Sequence, residues 1–214
     1  MNRRDPGVSK EPWLGMPPAS KHWEHPGGKL VEEGSQSLKQ DELLAILIGS
    51  GVPGRSALSI ANAVLDEYVG LYGIYRNGTP EGLKKIPGLG PRKAARILAA
   101  IEMGKRLHRC LNLISTHRQE EADLFHKSYP EKSSGIQSDQ GNDVRLLETI
   151  IGSGVSGKPA VAIAAELISK YGSICGLFGR DMGEFLEIKG LDSVKIIRIA
   201  AALEVARRID HALS

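Results

Sequence analysis

The sequence predicts an all-α protein of two tandem helical domains, each of about five short helices, and three observations carry that expectation. A stretch of about 65–70 residues occurs twice, which fixes architecture before any other feature. Apolar residues in both occurrences recur at helical spacing, and no alternating strand pattern stands out. Gly and Pro lie between the helical stretches rather than within them.

The repeat is explicit. IGSGVPGRSALSIANAVLDEY begins at Ile48 and IGSGVSGKPAVAIAAELISKY at Ile151, an offset of 103 that holds through Tyr68 and Tyr171. Farther on the offset is 102, so that Gly88 matches Gly190, Ile97 matches Ile199, Glu102 matches Glu204 and Arg106 matches Arg208. Residues 28–109 form the first expected domain and residues 143–214 the second. Residues 110–142 are polar and mostly unperiodic, which predicts a linker. Residues 1–27 hold Trp13, Trp23 and five of the eleven prolines, which predicts a flexible tail. Because the apolar stripes repeat and the segment between them has none, the two domains are expected to fold independently.

Each helix has a local reason. Asp41 to Ile48 reads as a helix that stops at Gly49, a position suited to a left-handed C′ residue. The next helix starts near Ser56 and carries Ala57, Ile60, Ala61, Val64, Leu65 and Tyr68 on one face. Ala160, Ile163, Ala164, Leu167, Ile168 and Tyr171 repeat that face. Thr79 and Pro80 supply an N-cap and a first helical residue. The last helix of each copy has its own stripe: Ala94, Ile97, Leu98, Ile101 and Leu107, then Ile196, Ile199, Ala200, Leu203 and Ile209. Carboxylates are expected on the solvated faces opposite these stripes.

Composition excludes several classes. The 214 residues are 41% hydrophobic and 25% charged, ordinary globular values. No apolar run approaches the roughly 18 residues that cross a bilayer, and the N-terminus has no apolar core of a secretory signal. Cys110 and Cys175 cannot build a disulfide framework, and no CxxC is present, so a soluble, cytoplasmic protein of a reducing compartment is expected. The net charge is +3. Residues 38–109 carry eleven basic and six acidic side chains, whereas residues 143–214 balance at nine of each. Between Lys84 and Arg109 eight cations face only Glu102. Such a field attracts polyanions, and charge alone equally describes a solvated helix face.

Two glycine sites follow. Gly49 to Ser56, GSGVPGRS, imitates a phosphate-binding loop of nucleotidases, but a helix precedes it instead of a strand, and Arg55 replaces the lysine. It reads as a tight helix–helix turn, with Gly49, Gly51, Gly54 and Arg55 as a secondary set for DNA contact. The sharper site is Leu83-Lys84-Lys85-Ile86-Pro87-Gly88-Leu89-Gly90-Pro91, a helix-hairpin-helix motif. Leu89 should turn inward and pin the turn. The amides of Leu89, Gly90 and Arg92 would then face an anion at a helix N-terminus, with Arg92, Lys93 and Arg96 continuing along a phosphate backbone. Gly88, Leu89, Gly90, Arg92, Lys93 and Arg96 are therefore the DNA phosphate-binding candidates. A packing turn that never meets DNA is the alternative. In the second copy Asp192 stands where Gly90 is, with only Lys195 and Arg198 nearby, so that turn reads as structural or as a protein-interaction module.

HPGGKLVEEGSQSLKQDELLAILIGSG from His25, then GRSALSIA and IPGLGPRKAARILAAIEMGKRL, resemble the N-terminal domain of the bacterial RadC family. That domain is similar to the paired helix-hairpin-helix domains of RuvA-like DNA-binding proteins. The resemblance covers about residues 25–108 well and residues 142–212 as a diverged copy. It implies two tandem paired helix-hairpin-helix domains and a link to DNA repair. RadC proteins usually continue into a zinc-dependent JAMM/MPN-like domain marked H-x-H-P-S-G-x7-S-x-x-D. This sequence has no H-x-H, and His25-Pro26-Gly27-Gly28 does not fit that motif. No catalytic set, metal site or cofactor is expected. The resulting expectation is a non-enzymatic, sequence-independent DNA-binding protein, with other DNA-repair proteins as further partners. The alternative is a protein–protein adaptor of the same fold.

Overall fold

A computed structural model describes residues 25–123 and 140–214. Trp13, Trp23 and residues 124–139 of the expected linker lie outside the described residues. The described part is all-α. The first half contains α1 (Pro26–Glu33), α2 (Gln40–Ile48), α3 (Ala57–Tyr68), α4 (Gly70–Asn77), α5 (Pro80–Lys84) and α6 (Pro91–Asp123). The second half contains α7 (Gln140–Ile151), α8 (Ala160–Tyr171) and α9 (Ser193–Leu213). Two 3-10 helices, Cys175–Leu177 and Met182–Glu187, stand there where the first half has α4 and α5.

The local signals act as their chemistry requires. Ser56 Oγ accepts the Ser59 amide at 3.0 Å, and Thr79 Oγ1 accepts the Gly82 amide at 3.0 Å. Gly49 closes α2 with φ 81 and ψ −75, a positive φ but not the left-handed helical well that the C′ reading expects. Helix α6 runs on to Asp123, well past Arg109, so its end occupies the start of the expected linker.

Contacts of the first half recur in the second at the repeat offset. Gln40 Oε1 accepts the Leu71 amide at 3.1 Å, and Asp143 Oδ2 accepts the Ile174 amide at 2.9 Å. Val52 pairs with Arg55 as Val155 pairs with Lys158. A Cβ on Gly88 would meet Ile60, and one on Gly190 would meet Ile163.

The halves are not independent. Buried residues from both belong to one hydrophobic core, and the long helices α6 and α9 form its centre. A Cβ on Gly104 of α6 would lie 2.7 Å from Ile209 Cβ and 3.0 Å from the Ala206 carbonyl oxygen, both on α9. This corrects the expectation of separately folding domains. An apolar stripe shows that a helix faces a core, and here the core belongs to both copies. Every residue from Ile199 to Ala206 is buried, so the middle of α9 is enclosed all round.

Polar residues join the halves as well. Asp143 of α7, 4% exposed, pairs with Arg106 of α6. Arg208 of α9 donates to the Leu38 carbonyl at 2.6 Å and the Gln36 carbonyl at 3.3 Å, and Glu204, 3% exposed, accepts from Arg207 and Arg208. His108 Nδ1 lies 2.9 Å from Asp210 Oδ1. Asp143 and Glu204 therefore overturn the expectation that carboxylates stay solvated: each is buried where an arginine neutralises it.

Cys110 of α6 and Cys175 form a disulfide with Cα atoms 6.7 Å apart, where a reducing compartment led us to expect thiols. It spans 65 residues of sequence. Reduction is expected to lower stability by about 2–4 kcal/mol. A denaturant midpoint that stays unchanged after reduction and alkylation would contradict this contribution. Among the described residues, no helix is long and apolar enough to cross a membrane.

Candidate nucleic-acid interface

The two glycine turns of the first half meet in one patch. The Gly49–Arg55 turn closes through reciprocal backbone bonds of 2.9 Å between Val52 and Arg55, and Gly54 sits at φ 78. Arg55 Nη1 donates to the Pro87 carbonyl at 2.9 Å and so locks this turn to the second one. A Cβ on Gly88, whose φ is 90, would press on Ile60 and Val52 at 2.8 and 3.1 Å, which leaves room only for glycine. Leu89 is 2% exposed and pins the turn inward, as expected.

Helix α6 begins just beyond. The Leu89 amide donates to the Ile86 carbonyl at 3.0 Å, so it is not one of the free donors that the sequence suggests. Among the described residues the amides of Gly90 and Arg92 donate to no backbone carbonyl, and Pro91 has no amide. Gly90 is exposed, with open space where a side chain would start. At the equivalent place in α9, Asp192 Oδ1 accepts the Lys195 amide at 2.9 Å and Oδ2 lies 3.0 Å from Lys195 Nζ. Burial raises the Asp192 carboxyl, but bonds from the Lys195 amide and ammonium outweigh it and hold the group below its ordinary value. One helix start is closed by its own carboxylate, and the other is open.

The cations divide in two. Lys105, Arg106 and Arg109 gather around Glu102, and Arg106 also holds Asp143, so most of the charge at the far end of the basic run is balanced internally. Lys84, Lys85 and Arg92 are exposed, and among the described residues neither they nor Arg96 pairs with a carboxylate. Lys93 is turned inward: its ammonium donates to the Gly88 carbonyl at 3.1 Å and the Gly51 carbonyl at 3.5 Å, tying both turns together. Lys195 does the same for Gly190 at 2.8 Å. Half-buried Arg96 donates to the Leu47 carbonyl at 3.4 Å, and burial together with the neighbouring Arg92 charge lowers its pKa. Arg198 donates to the Ile151 and Ile150 carbonyls at 2.8 and 3.4 Å. Among the described residues, no group of three or more His, Cys, Asp or Glu gathers as metal ligands would.

Residues 20–95 match the family model described as UPF0758 N-terminal. The match covers both glycine turns and Arg92, and it agrees with the RadC resemblance over this part of the chain. UPF0758 relatives align with the same region. The UPF0758 protein of Polaromonas sp. strain JS666 is 41% identical over 81 residues, 38% of this chain and 36% of the relative. The UPF0758 protein YsxA of Bacillus subtilis strain 168 is 39% identical over 89 residues, 42% of this chain and 38% of the relative. That of Geobacillus thermodenitrificans strain NG80-2 is 41% identical over 83 residues, 39% and 36% of the two chains. The chain therefore spans little more than a third of the length of these UPF0758 relatives. No solved structure matches the chain.

Proposed function

We propose that this is a non-enzymatic, sequence-independent DNA-binding protein of the RadC-like type, made of two helix-hairpin-helix units merged around one core. The contact recurrences at the repeat offset support the duplication. The observation that carries the DNA reading is the open start of α6: among the described residues, unclaimed amides at Gly90 and Arg92, no side chain at Gly90, and exposed Lys84, Lys85 and Arg92 without acidic partners. Amides and cations so arranged take a phosphate oxygen and position a duplex without reading its bases. Gly88, Leu89, Gly90, Arg92, Lys93 and Arg96 form the contact, with Leu89 and Lys93 acting as its internal supports. Gly49, Gly51, Gly54 and Arg55 extend it on the adjoining turn. We assign no catalytic residue, metal or cofactor. A DNA partner places the protein in the cytoplasm beside repair proteins, and there the Cys110–Cys175 bond competes with ambient thiols.

Gly90→Asp tests this sharply. The site has space for the side chain, and an aspartate there caps α6 as Asp192 caps α9. Stability should hold or rise by a few tenths of a kcal/mol, while duplex binding at low salt falls about tenfold or more, because a carboxylate occupies the phosphate position. Arg92→Glu should weaken binding and lower the log–log salt slope by about one unit. A Gly90→Asp protein that binds duplex like the unmodified one contradicts the proposal.

The adaptor reading draws on a different feature, an open groove of about 420 Å³ lined by Ile74, Tyr75, Leu98, Ile101 and Leu146. An unmodified protein that binds no duplex, single-stranded or branched DNA at low salt would favour it.

A further inference from the structure

The two turns that follow α2 and α7, one from each half, meet the same pair of arginines. A Cβ on Gly152 would lie 2.6 Å from Arg96 Nη2, so the guanidinium of a first-half residue lies across the second-half turn. A Cβ on Gly49 would lie 3.8 Å from Arg96 Nη1 and 4.0 Å from Arg198 Nη2. Both guanidinium groups therefore border one point, within van der Waals reach of the Gly49 backbone. Gly49 and Gly152 have φ of 81 and 83, so the backbone itself favours glycine at both places.

Two like charges meet here with little to balance them. Among the described residues neither Arg96 nor Arg198 pairs with a carboxylate. The Arg198 charge does feel Asp192, but both oxygens of that group are held by Lys195. Burial, then the Arg96 charge, pushes the Arg198 guanidinium down to about 10. Each arginine donates to carbonyls at the end of α2 or α7, yet a guanidinium has five N–H donors and these bonds leave several over. Among the described residues, Arg198 Nε is buried and has no partner. Gly49, Ser50, Gly152 and Ser153 are exposed, so the place is reachable from solvent.

We infer that Arg96 and Arg198 jointly hold one phosphate group at the seam between the halves, framed by the Gly49 and Gly152 turns. The inference rests on the DNA-binding reading for the source of that phosphate, a phosphodiester of the DNA backbone. It gives Arg198, which the sequence sets apart from DNA, a direct part in binding. It also adds a second grip on the same helix as the open start of α6, where the Arg92 charge is felt by Arg96.

The test combines duplex titrations at several salt concentrations with thermal unfolding in inorganic phosphate against chloride of equal ionic strength. Arg96→Gln, Arg198→Gln, the double variant and Ser153→Glu are compared, with helicity measured for each. Each single arginine variant should weaken duplex binding about tenfold and lower the salt slope by about 0.9. The double variant should lose little more, because both side chains grip one phosphate. Phosphate should raise the melting temperature of the unmodified protein and not of the variants. If Arg198→Gln fails to fold, Ser153→Glu, an exposed change beside the pair, carries the comparison. Normal duplex binding by Arg198→Gln or Ser153→Glu, or independent losses that sum in the double variant, would overturn the shared site and leave the DNA reading standing. Phosphate stabilisation that depends on Arg198, in a protein that binds no DNA, would keep the site as one for free phosphate and end the DNA reading. Neither effect in the unmodified protein would end both.

Discussion

Gly104→Ala is expected to destabilise the protein, although the same change in an exposed helix interior stabilises by about 1 kcal/mol. The reason is the α6–α9 crossing. A Cβ at position 104 would sit 2.7 Å from Ile209 Cβ, 2.9 Å from Ile209 Cγ2 and 3.0 Å from the Ala206 carbonyl oxygen. One of these atoms is backbone and one is a branched Cβ held close to its own helix, so neither swings aside as a flexible side-chain end would. The helices must move apart, and the core that both halves share moves with them. Gly104→Val adds two methyl groups beyond the alanine at the same crossing and should cost about 3 kcal/mol or more. Chemical denaturation of both variants checks the sign as well as the size. A higher midpoint for the alanine variant would show that α6 and α9 do not approach so closely. Unfolding of the unmodified protein in two separated transitions would show that the halves keep separate cores.

Arg106→Met should cost about 3–5 kcal/mol, because it leaves a buried carboxylate without its cation. Asp143 is 4% exposed and, among the described residues, otherwise accepts only the Ile174 amide, through Oδ2 at 2.9 Å. Adding Asp143→Asn should restore most of the loss. Asparagine retains an acceptor for that amide and carries no charge, as Gln40 does at the matching place in the first half. The double-mutant cycle is the decisive measurement: losses that simply sum would mean that the pair contributes nothing by its contact.

The helices were legible because their signals are local. Ser56 and Thr79 cap within three residues of themselves, and Leu89 needs only its own turn to point inward. The join between the halves was not legible, since a stripe at helical spacing states that a face is covered and not by which segment. One sign was present in IIRIAAALEVARRI: small and apolar residues surround α9 on every side, which marks a helix enclosed by neighbours rather than one resting on a surface. Asp143 misled for the same reason, because Arg106 lies in the other half; Glu204 pairs with Arg207 and Arg208 of its own helix, and only its burial depends on the packing. In the candidate site, the free amides of Gly90 and Arg92, the exposed Arg92 and the contrast with Asp192 followed from the turn sequence, whereas the Leu89 amide is taken by the Ile86 carbonyl. The inward role of Lys93 did not, since the carbonyls it binds belong to turns 42 and 5 residues away. The nearness of Arg96 and Arg198 depends wholly on how the halves pack.

The α6–α9 crossing also orders events during translation. Gly104 leaves the ribosome long before Ala206 and Ile209, which cover it in the finished protein. At ordinary elongation rates that interval lasts roughly 5–20 seconds. The Gln36 and Leu38 carbonyls wait still longer for Arg208, which follows them by 172 and 170 residues. The nascent first half therefore shows an uncovered apolar helix to its surroundings, and the shared core closes only when α9 emerges.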